Sequence, residues 1–361
     1  MPNPPTAELL ASLNQSWPRP IAPRPIVVIG AGSIVRDAHL PVYARLGLPV
    51  GGIYDVNPAA AHERAARFKL GRVFEGLDEA LAAPHAIFDI AIPPQNIAPI
   101  LEQMPAGSAV LMQKPMGRDL DDARRIRAIV RERRLTAAVN FQLRFAPNML
   151  ALRDLMARGA LGELTDIEVR VVLHTPWEYW AFLRGVPRLE VLMHSIHYLD
   201  LIRTLCGEPR GVWCRGARHP ELYDYPDVRT SIILDYGDAV RASLVMNHTH
   251  RFGPARAVSE IKLEGTHGAA VAKMGVNLNY PHGEPDTLEY APVGGERWLA
   301  VPLRGSWFLE AFEGPMSNMQ RVASGEDARL VSPVEDAFKT MALVEACYES
   351  SARGATPIPQ N

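Results

Sequence analysis

Residues 26–35 read IVVIGAGSIV, and this stretch decides the fold. Four consecutive β-branched apolar residues suit a strand buried on both faces, and the run ends abruptly at Gly30. Gly30 and Gly32 supply the first two glycines of a GxGxxG pattern, while Val35 stands where the third would fall. The first glycine permits a tight turn, and the second lets backbone approach a pyrophosphate seated on the N-terminus of the following helix. A plainer reading is an ordinary strand-to-helix turn. Context favours the nucleotide loop, because the next strand, PVGGIYD, ends in Asp55, where a carboxylate can accept hydrogen bonds from a ribose diol. Asp55 would equally suit a turn or a helix N-cap. A carboxylate there repels a 2′-phosphate, and Val56, Asn57 and Pro58 bring no arginine to hold one, so NAD is expected over NADP. Arg36 either touches a phosphate or is simply solvated.

Working outward from Ile26, short apolar runs alternate with longer amphipathic ones, the pattern of a parallel sheet covered by helices. Strands are expected at RVF, AIFDIAI, SAVLMQ and TAAVNF, with RDLDDARRIRAIVRERR as the helix between the last two. This gives an α/β Rossmann dinucleotide-binding domain over residues 25–145, preceded by an extension, 1–24, whose TAELLASL core forms a short helix. FAPNMLALRDLMARG opens the second half as a helix, with Pro147 in its first turn and Gly159 at its end. TDIEVRVVLH, VRTSIILDY, AVRASLVMNHTH and AVSEIKLEGT then alternate apolar and polar residues without intervening helices. Residues 146–361 therefore read as an α+β domain with a large, mainly antiparallel open sheet. Two helices, RLEVLMHSIHYLDLIRTL and PVEDAFKTMALVEACYESSAR, cover one of its faces. The other face is expected to pair with a second subunit in a homodimer or homotetramer.

Composition narrows the partners. The formal net charge is −2, from 38 Lys and Arg against 40 Asp and Glu that are interspersed, so nucleic acid is not an expected partner. Three cysteines without CxxC spacing, and no secretory signal, point to reduced thiols and a cytoplasmic protein. No apolar run is long enough for a membrane span. One lysine stands out. Lys114, in MQKPMG, follows the apolar run SAVLM and precedes a proline, and an ammonium at the end of such a segment needs a partner or a task.

GAGSIVRDAHLP, AIPPQN, QKP, FQLRFAPN and HSIHYLDLIRTL, in this order, resemble the Gfo/Idh/MocA oxidoreductases, NAD(P)-dependent enzymes acting largely on sugars and polyols. The resemblance runs from about Ile26 to the C-terminus. It implies that Gly30, Gly32, Ser33, Ile34, Asp55, Ile92, Pro93, Pro94, Asn96, Gln113 and Lys114 surround the cofactor. It makes Lys114 the lysine of a Glu-Lys-Pro motif, lying between nicotinamide and substrate hydroxyl, where it assists the departing proton. Here Gln113 replaces that glutamate, which withdraws a stabiliser of the ammonium and lowers the lysine's pKa. His197 matches the family's catalytic histidine. Four residues earlier, where the family has aspartate, this chain has Met193. His194, on a neighbouring face, is a candidate to share the catalytic and substrate-binding work, and Glu190, two turns back, to supply the missing charge. Arg144 is a candidate for substrate binding or for a salt bridge, and Tyr179 and Trp180 for stacking on a sugar ring or for core packing.

The leading expectation is hydride transfer between a secondary alcohol of a sugar, polyol or related small molecule and NAD, with Lys114 and His197 handling the proton. A redox-neutral variant, oxidation followed by elimination or epimerisation and return of the hydride, is one alternative. Others are a metal site built from His194, His197, His248 and His250, and a dinucleotide-binding sensor without turnover. The expected site contains no metal.

Overall fold

A computed structural model describes residues 7–279 and 282–359, with Ala181 described by its backbone alone. The chain forms two compact units. One comprises Ser16–Ala146 together with Phe308–Met341, and the other Met1–Gln15, Pro147–Trp307 and Ala342–Asn361.

The first unit is built on a five-stranded sheet in the order β2-β1-β3-β4-β5, from β1 (Ile26–Ile29), β2 (Val50–Tyr54), β3 (Ile87–Ile90), β4 (Ala109–Gln113) and β5 (Thr136–Asn140). All its ladders are parallel. β1, β3 and the first four residues of β4 are buried throughout, as a sheet covered on both faces requires. Helix Leu120–Glu132 starts where Asp119 accepts the Asp122 N–H at 2.9 Å, an N-cap that satisfies one of the helix's unpaired donors. RVF, expected as a strand, makes only a single parallel bridge, Ile53 to Val73.

The expectation of one unbroken block from 146 to 361 does not hold for residues 308–341. Helix Glu313–Ala323 packs on β4 and β5, and Phe312, Met316 and Met319 join the apolar core of the first sheet. The proline-rich lead-in is tied to the same segment: Arg24 N–H donates to Gln320 Oε1 at 2.8 Å, and Gln320 Nε2 returns a bond to the Arg24 carbonyl at 2.9 Å. The short helix expected in TAELLASL is Ala7–Ala11.

The second unit carries an eight-stranded sheet in the order β13-β12-β11-β10-β6-β9-β8-β7. Its strands are β6 (Leu164–Val172), β7 (Gly211–Ala217), β8 (Arg229–Asp235), β9 (Arg241–Asn247), β10 (Val258–Gly265), β11 (Gly268–Lys273), β12 (Thr287–Pro292) and β13 (Leu299–Ala300). Among the described residues only the β6–β9 ladder is parallel. Alternation decides the faces. Ile167, Val169, Ile232, Leu244 and Ile261 point to the core, while Trp213, Ile233 and Val245 lie exposed on the opposite face. The last part of helix Val334–Arg353 guards the edge strand β7, where Ser350 and Ser351 accept the N–H groups of Cys214 and Gly216.

Candidate functional site

The C-terminal edge of the first sheet collects the predicted nucleotide residues in strand order. Asp55 lies just past β2, Gly30 to Ile34 past β1, Ile92 to Asn96 past β3, and Gln113 and Lys114 at the end of β4. Such a crevice, where neighbouring connections diverge from β1 and β3, is where open α/β sheets bind ligands. Gly30 has φ +110°, and a Cβ there would lie 2.3 Å from the Ala91 carbonyl oxygen, so both the turn and the approach of β3 demand glycine. A Cβ on Gly32 would meet nothing within 4 Å, which leaves the helix start open to a pyrophosphate. Ser33, Pro93 and Asn96 are exposed along the same rim, with Ile34, Ile92 and Pro94 half-buried.

Asp55 is tied to the backbone on both sides of the loop. Its carboxylate accepts the Ala31 N–H at 2.6 Å and the Asn57 N–H at 2.7 Å, so it braces the glycine loop against the end of β2. Arg36 pairs with its neighbour Asp37 through two bonds of 2.6 and 2.8 Å. The open glycine turn, the helix start beyond it and the braced carboxylate fit a dinucleotide.

Lys114 follows the last residue of β4, its peptide bond to Pro115 is cis, and its side chain is half-buried. Desolvation by the surrounding protein brings its ammonium down to about 8. Gln113 Oε1 accepts the Lys114 backbone N–H at 2.8 Å, and Gln113 Nε2 lies 3.3 Å from His39 Nε2. His39 is fully buried, at the end of a π-helical turn (Val35–His39), and its Nδ1 meets Asp89 Oδ2 at 2.8 Å. Tyr43 donates to the same oxygen at 2.9 Å, and its own hydroxyl proton is held well above the ordinary tyrosine range by burial and by the Asp89 charge. None of this network was anticipated. The signal was present, since Asp89 interrupts an otherwise apolar buried strand, IFDI, and an acid there must have donors around it.

Arg144 is 2 % exposed and its guanidinium is engaged within the first unit, by the Val331 carbonyl at 2.7 Å and by Asp336 at 2.5 Å.

In the second unit, helix Ile196–Cys206 is preceded by another π-helical turn, Val191–Ser195. His197 is buried and packs edge-on against Trp307, with ring centroids 5.9 Å apart. His194 has different neighbours, the rings of Trp177 at 4.9 Å and His248 at 4.5 Å. Glu190, considered as a source of charge for His197, instead takes a hydrogen bond from His248 Nε2 at 3.2 Å. Ser195 donates to Glu190 at 2.9 and 3.0 Å and Thr230 at 2.5 Å, which supplies the buried carboxylate with three donors. His248 Nδ1 meets the Thr175 hydroxyl at 2.8 Å. Asp227 lies near this cluster, and burial, reinforced by the charge of Glu190, raises its pKa to about 6.

Of the four histidines weighed as metal ligands, His194 and His248 adjoin, with ring centroids 4.5 Å apart, while His197 packs on Trp307. β9 ends at Asn247, so His248 and His250 do not share a strand face, and His250 contacts the Gly253 carbonyl at 3.2 Å. Among the described residues no group of three or more His, Cys, Asp or Glu is arranged to hold a metal ion. Tyr179 is exposed and Trp180 half-buried, their ring centroids 6.3 Å apart.

Two family profiles match the chain. One, described as an oxidoreductase family with an NAD-binding Rossmann fold, covers residues 24–141, and the Gfo/Idh/MocA C-terminal domain covers residues 149–271. The chain belongs to the Gfo/Idh/MocA oxidoreductase family. It is an NAD-binding oxidoreductase, similar along most of its length to sugar and polyol dehydrogenases. D-apiose dehydrogenase of Paraburkholderia graminis is 24 % identical over 91 % of this chain and 88 % of that enzyme. Inositol 2-dehydrogenase of Rhizobium meliloti is 24 % identical over 90 % and 96 %. Among solved structures, an oxidoreductase from Agrobacterium radiobacter in complex with NAD+, L-tartaric acid and magnesium superposes with a TM-score of 0.77 at 20 % identity, covering 92 % of this chain and 98 % of that one. This Gfo/Idh/MocA protein has no helix among its described residues long and apolar enough to cross a membrane.

Proposed function

We propose that the protein oxidises a secondary alcohol of a sugar, polyol or related small molecule with NAD, or runs the reverse reaction, with Lys114 and His197 handling the hydroxyl proton. The observation that carries this reading is the desolvated lysine on the same sheet edge as the nucleotide loop, with an amine brought to about 8. The cofactor supplies the hydride acceptor. Gly30, Gly32 and the helix start hold the pyrophosphate, Asp55 takes the ribose diol, and the rim from Ile92 to Asn96 lines the remainder. At pH 7 roughly a tenth of a lysine titrating near 8 is the free amine, enough to accept a hydroxyl proton, while the ammonium form stabilises a developing alkoxide. His197, or His194 beside it in sequence, completes the proton path, and Tyr179 and Trp180 offer aromatic faces to a sugar ring.

The proposal extends to assembly and setting. Trp213, Ile233 and Val245, at 61 %, 49 % and 43 % exposure, favour pairing of the open sheet face with another copy in a dimer or tetramer. A strictly monomeric mass at micromolar concentration would refute that. The three free thiols suit a reducing, cytoplasmic compartment.

The decisive experiment screens sugars, cyclitols and sugar acids for NAD reduction, with NADP in parallel and Lys114→Met as control. One or more substrates should reduce NAD, and Lys114→Met should cut turnover by about 10² to 10⁴ while leaving NAD affinity nearly intact. Substrate consumption without accumulating NADH would replace this reading with a redox-neutral reaction. Full turnover by Lys114→Met would remove the lysine from the chemistry.

A further inference from the structure

The hydrogen bonds behind Lys114 run in one consistent direction. Asp89, fully buried, can only accept when ionised, and its Oδ2 faces both the Tyr43 hydroxyl and His39 Nδ1, so the imidazole proton sits on Nδ1. His39 Nε2 then presents a lone pair. Two amide groups point at it, Gln113 Nε2 at 3.3 Å and Asn140 Nδ2 at 3.4 Å. The Gln113 amide is oriented independently, because its oxygen accepts the Lys114 N–H at 2.8 Å. Its nitrogen must therefore be the end that faces the imidazole. Asp89 Oδ1 takes no hydrogen bond among the described residues, so His39 and Tyr43 are what hold this carboxylate.

We propose that His39, anchored by Asp89, is the positioning residue that orients Gln113 and, through it, Lys114. This rests on the reading of Lys114 as the group that handles the proton. Glutamine fits here for a definite reason. A carboxylate at position 113 would set an acceptor against the lone pair of Nε2, and the contact would be repaired only by a second proton on His39, leaving an imidazolium between two carboxylates. With Gln113 an amide faces Nε2 at 3.3 Å, and that contact calls for no second proton on the ring. Around His39 stand Asp89 from β3, Gln113 from β4, Asn140 from β5, Tyr43 from the following helix, and the Phe312 ring at 5.7 Å, and Lys114 comes next in the chain after Gln113.

The relay predicts a pattern that simple packing would not. His39→Gln keeps the polarity without a titrating group, since an amide nitrogen can donate to Asp89 while its oxygen accepts from Gln113; turnover should stay within about threefold. Gln113→Glu alone should lose no more than about tenfold, because His39 can take the second proton, and the basic limb of its pH profile should move upward from about 8. Combined, the changes leave an amide that cannot donate to both carboxylates. The double variant should therefore fall at least tenfold below the product of the single effects. Additive effects would overturn the proposal.

A second measurement needs no substrate. Ring ¹⁵N and ¹H NMR of the free protein should show His39 protonated at Nδ1 and bare at Nε2, and doubly protonated at neutral pH in Gln113→Glu. A wild-type Nε2–H, or an unchanged ring in Gln113→Glu, would sink the relay. This spectrum judges the hydrogen-bond chain even if Lys114→Met retained turnover, so failure of the relay and failure of the lysine's role remain separable.

Discussion

Each unit buries a histidine–carboxylate pair, His39–Asp89 in one and His248–Glu190 in the other, and the two pairs do opposite things. His39–Asp89 has an outlet: the far nitrogen of the ring faces Gln113, which bonds the backbone of Lys114 at the rim of the sheet. His248–Glu190 is closed, with the carboxylate saturated by Ser195, Thr230 and His248 and the other ring nitrogen taken up by Thr175. A buried carboxylate surrounded by hydroxyls stiffens a core, whereas one that leaves an imidazole face open can transmit orientation to a neighbour. The same pair of residue types thus serves stability in one place and positioning in another, and the difference lies in what borders the second ring nitrogen.

The contrast breaks if the two acids respond alike to truncation. Glu190→Ala strips three buried donors of their acceptor and should cost about 3 to 5 kcal/mol in urea denaturation. Asp89→Ala strips two and should cost less in stability but more in turnover; the reverse order would mean that the first pair is the structural one. A smaller effect sharpens the view of the first unit's rim. Asp55→Ala should weaken NAD by about 1 to 3 kcal/mol and narrow the preference against NADP, measured by titration, and equal affinities before and after would remove Asp55 from the ribose.

The smallest effect belongs to Asp227, beside the closed pair. Its folded pKa, about 6, lies above the ordinary 3.8, so between these values the folded state holds more protons than the unfolded one. Stability therefore falls as pH rises from 3.8 to about 6. Asp227→Asn should flatten that slope, and an unaltered slope would show that another group carries it.

Both sheets were legible because their signals are local. IVVIGAG carries its turn and its burial in consecutive residues, and the alternation in VRTSIILDY and AVSEIKLEGT fixes which side chains face the core. The polar networks were not, since each joins residues far apart in sequence: Asp89 lies 50 positions from His39, and Glu190 lies 58 from His248. Glu190 was singled out as a source of charge, but only the fold could show that β9 delivers His248 to it. RVF had strand-forming residues yet forms a single bridge, because it runs alongside β2 only at Val73. Helix Glu313–Ala323 was missed as part of the first unit because its partners, β4 and β5, lie far earlier in the chain.

Phe312, Met316 and Met319 complete the core of a sheet whose strands are finished by Asn140. A ribosome must therefore add most of the remaining chain before that core can close. Until residues 308–341 emerge, the newborn nucleotide unit carries an uncovered apolar patch, and its wait is as long as the synthesis of the whole second sheet. A fragment ending at residue 146 would inherit that patch permanently and should aggregate where the full-length chain does not.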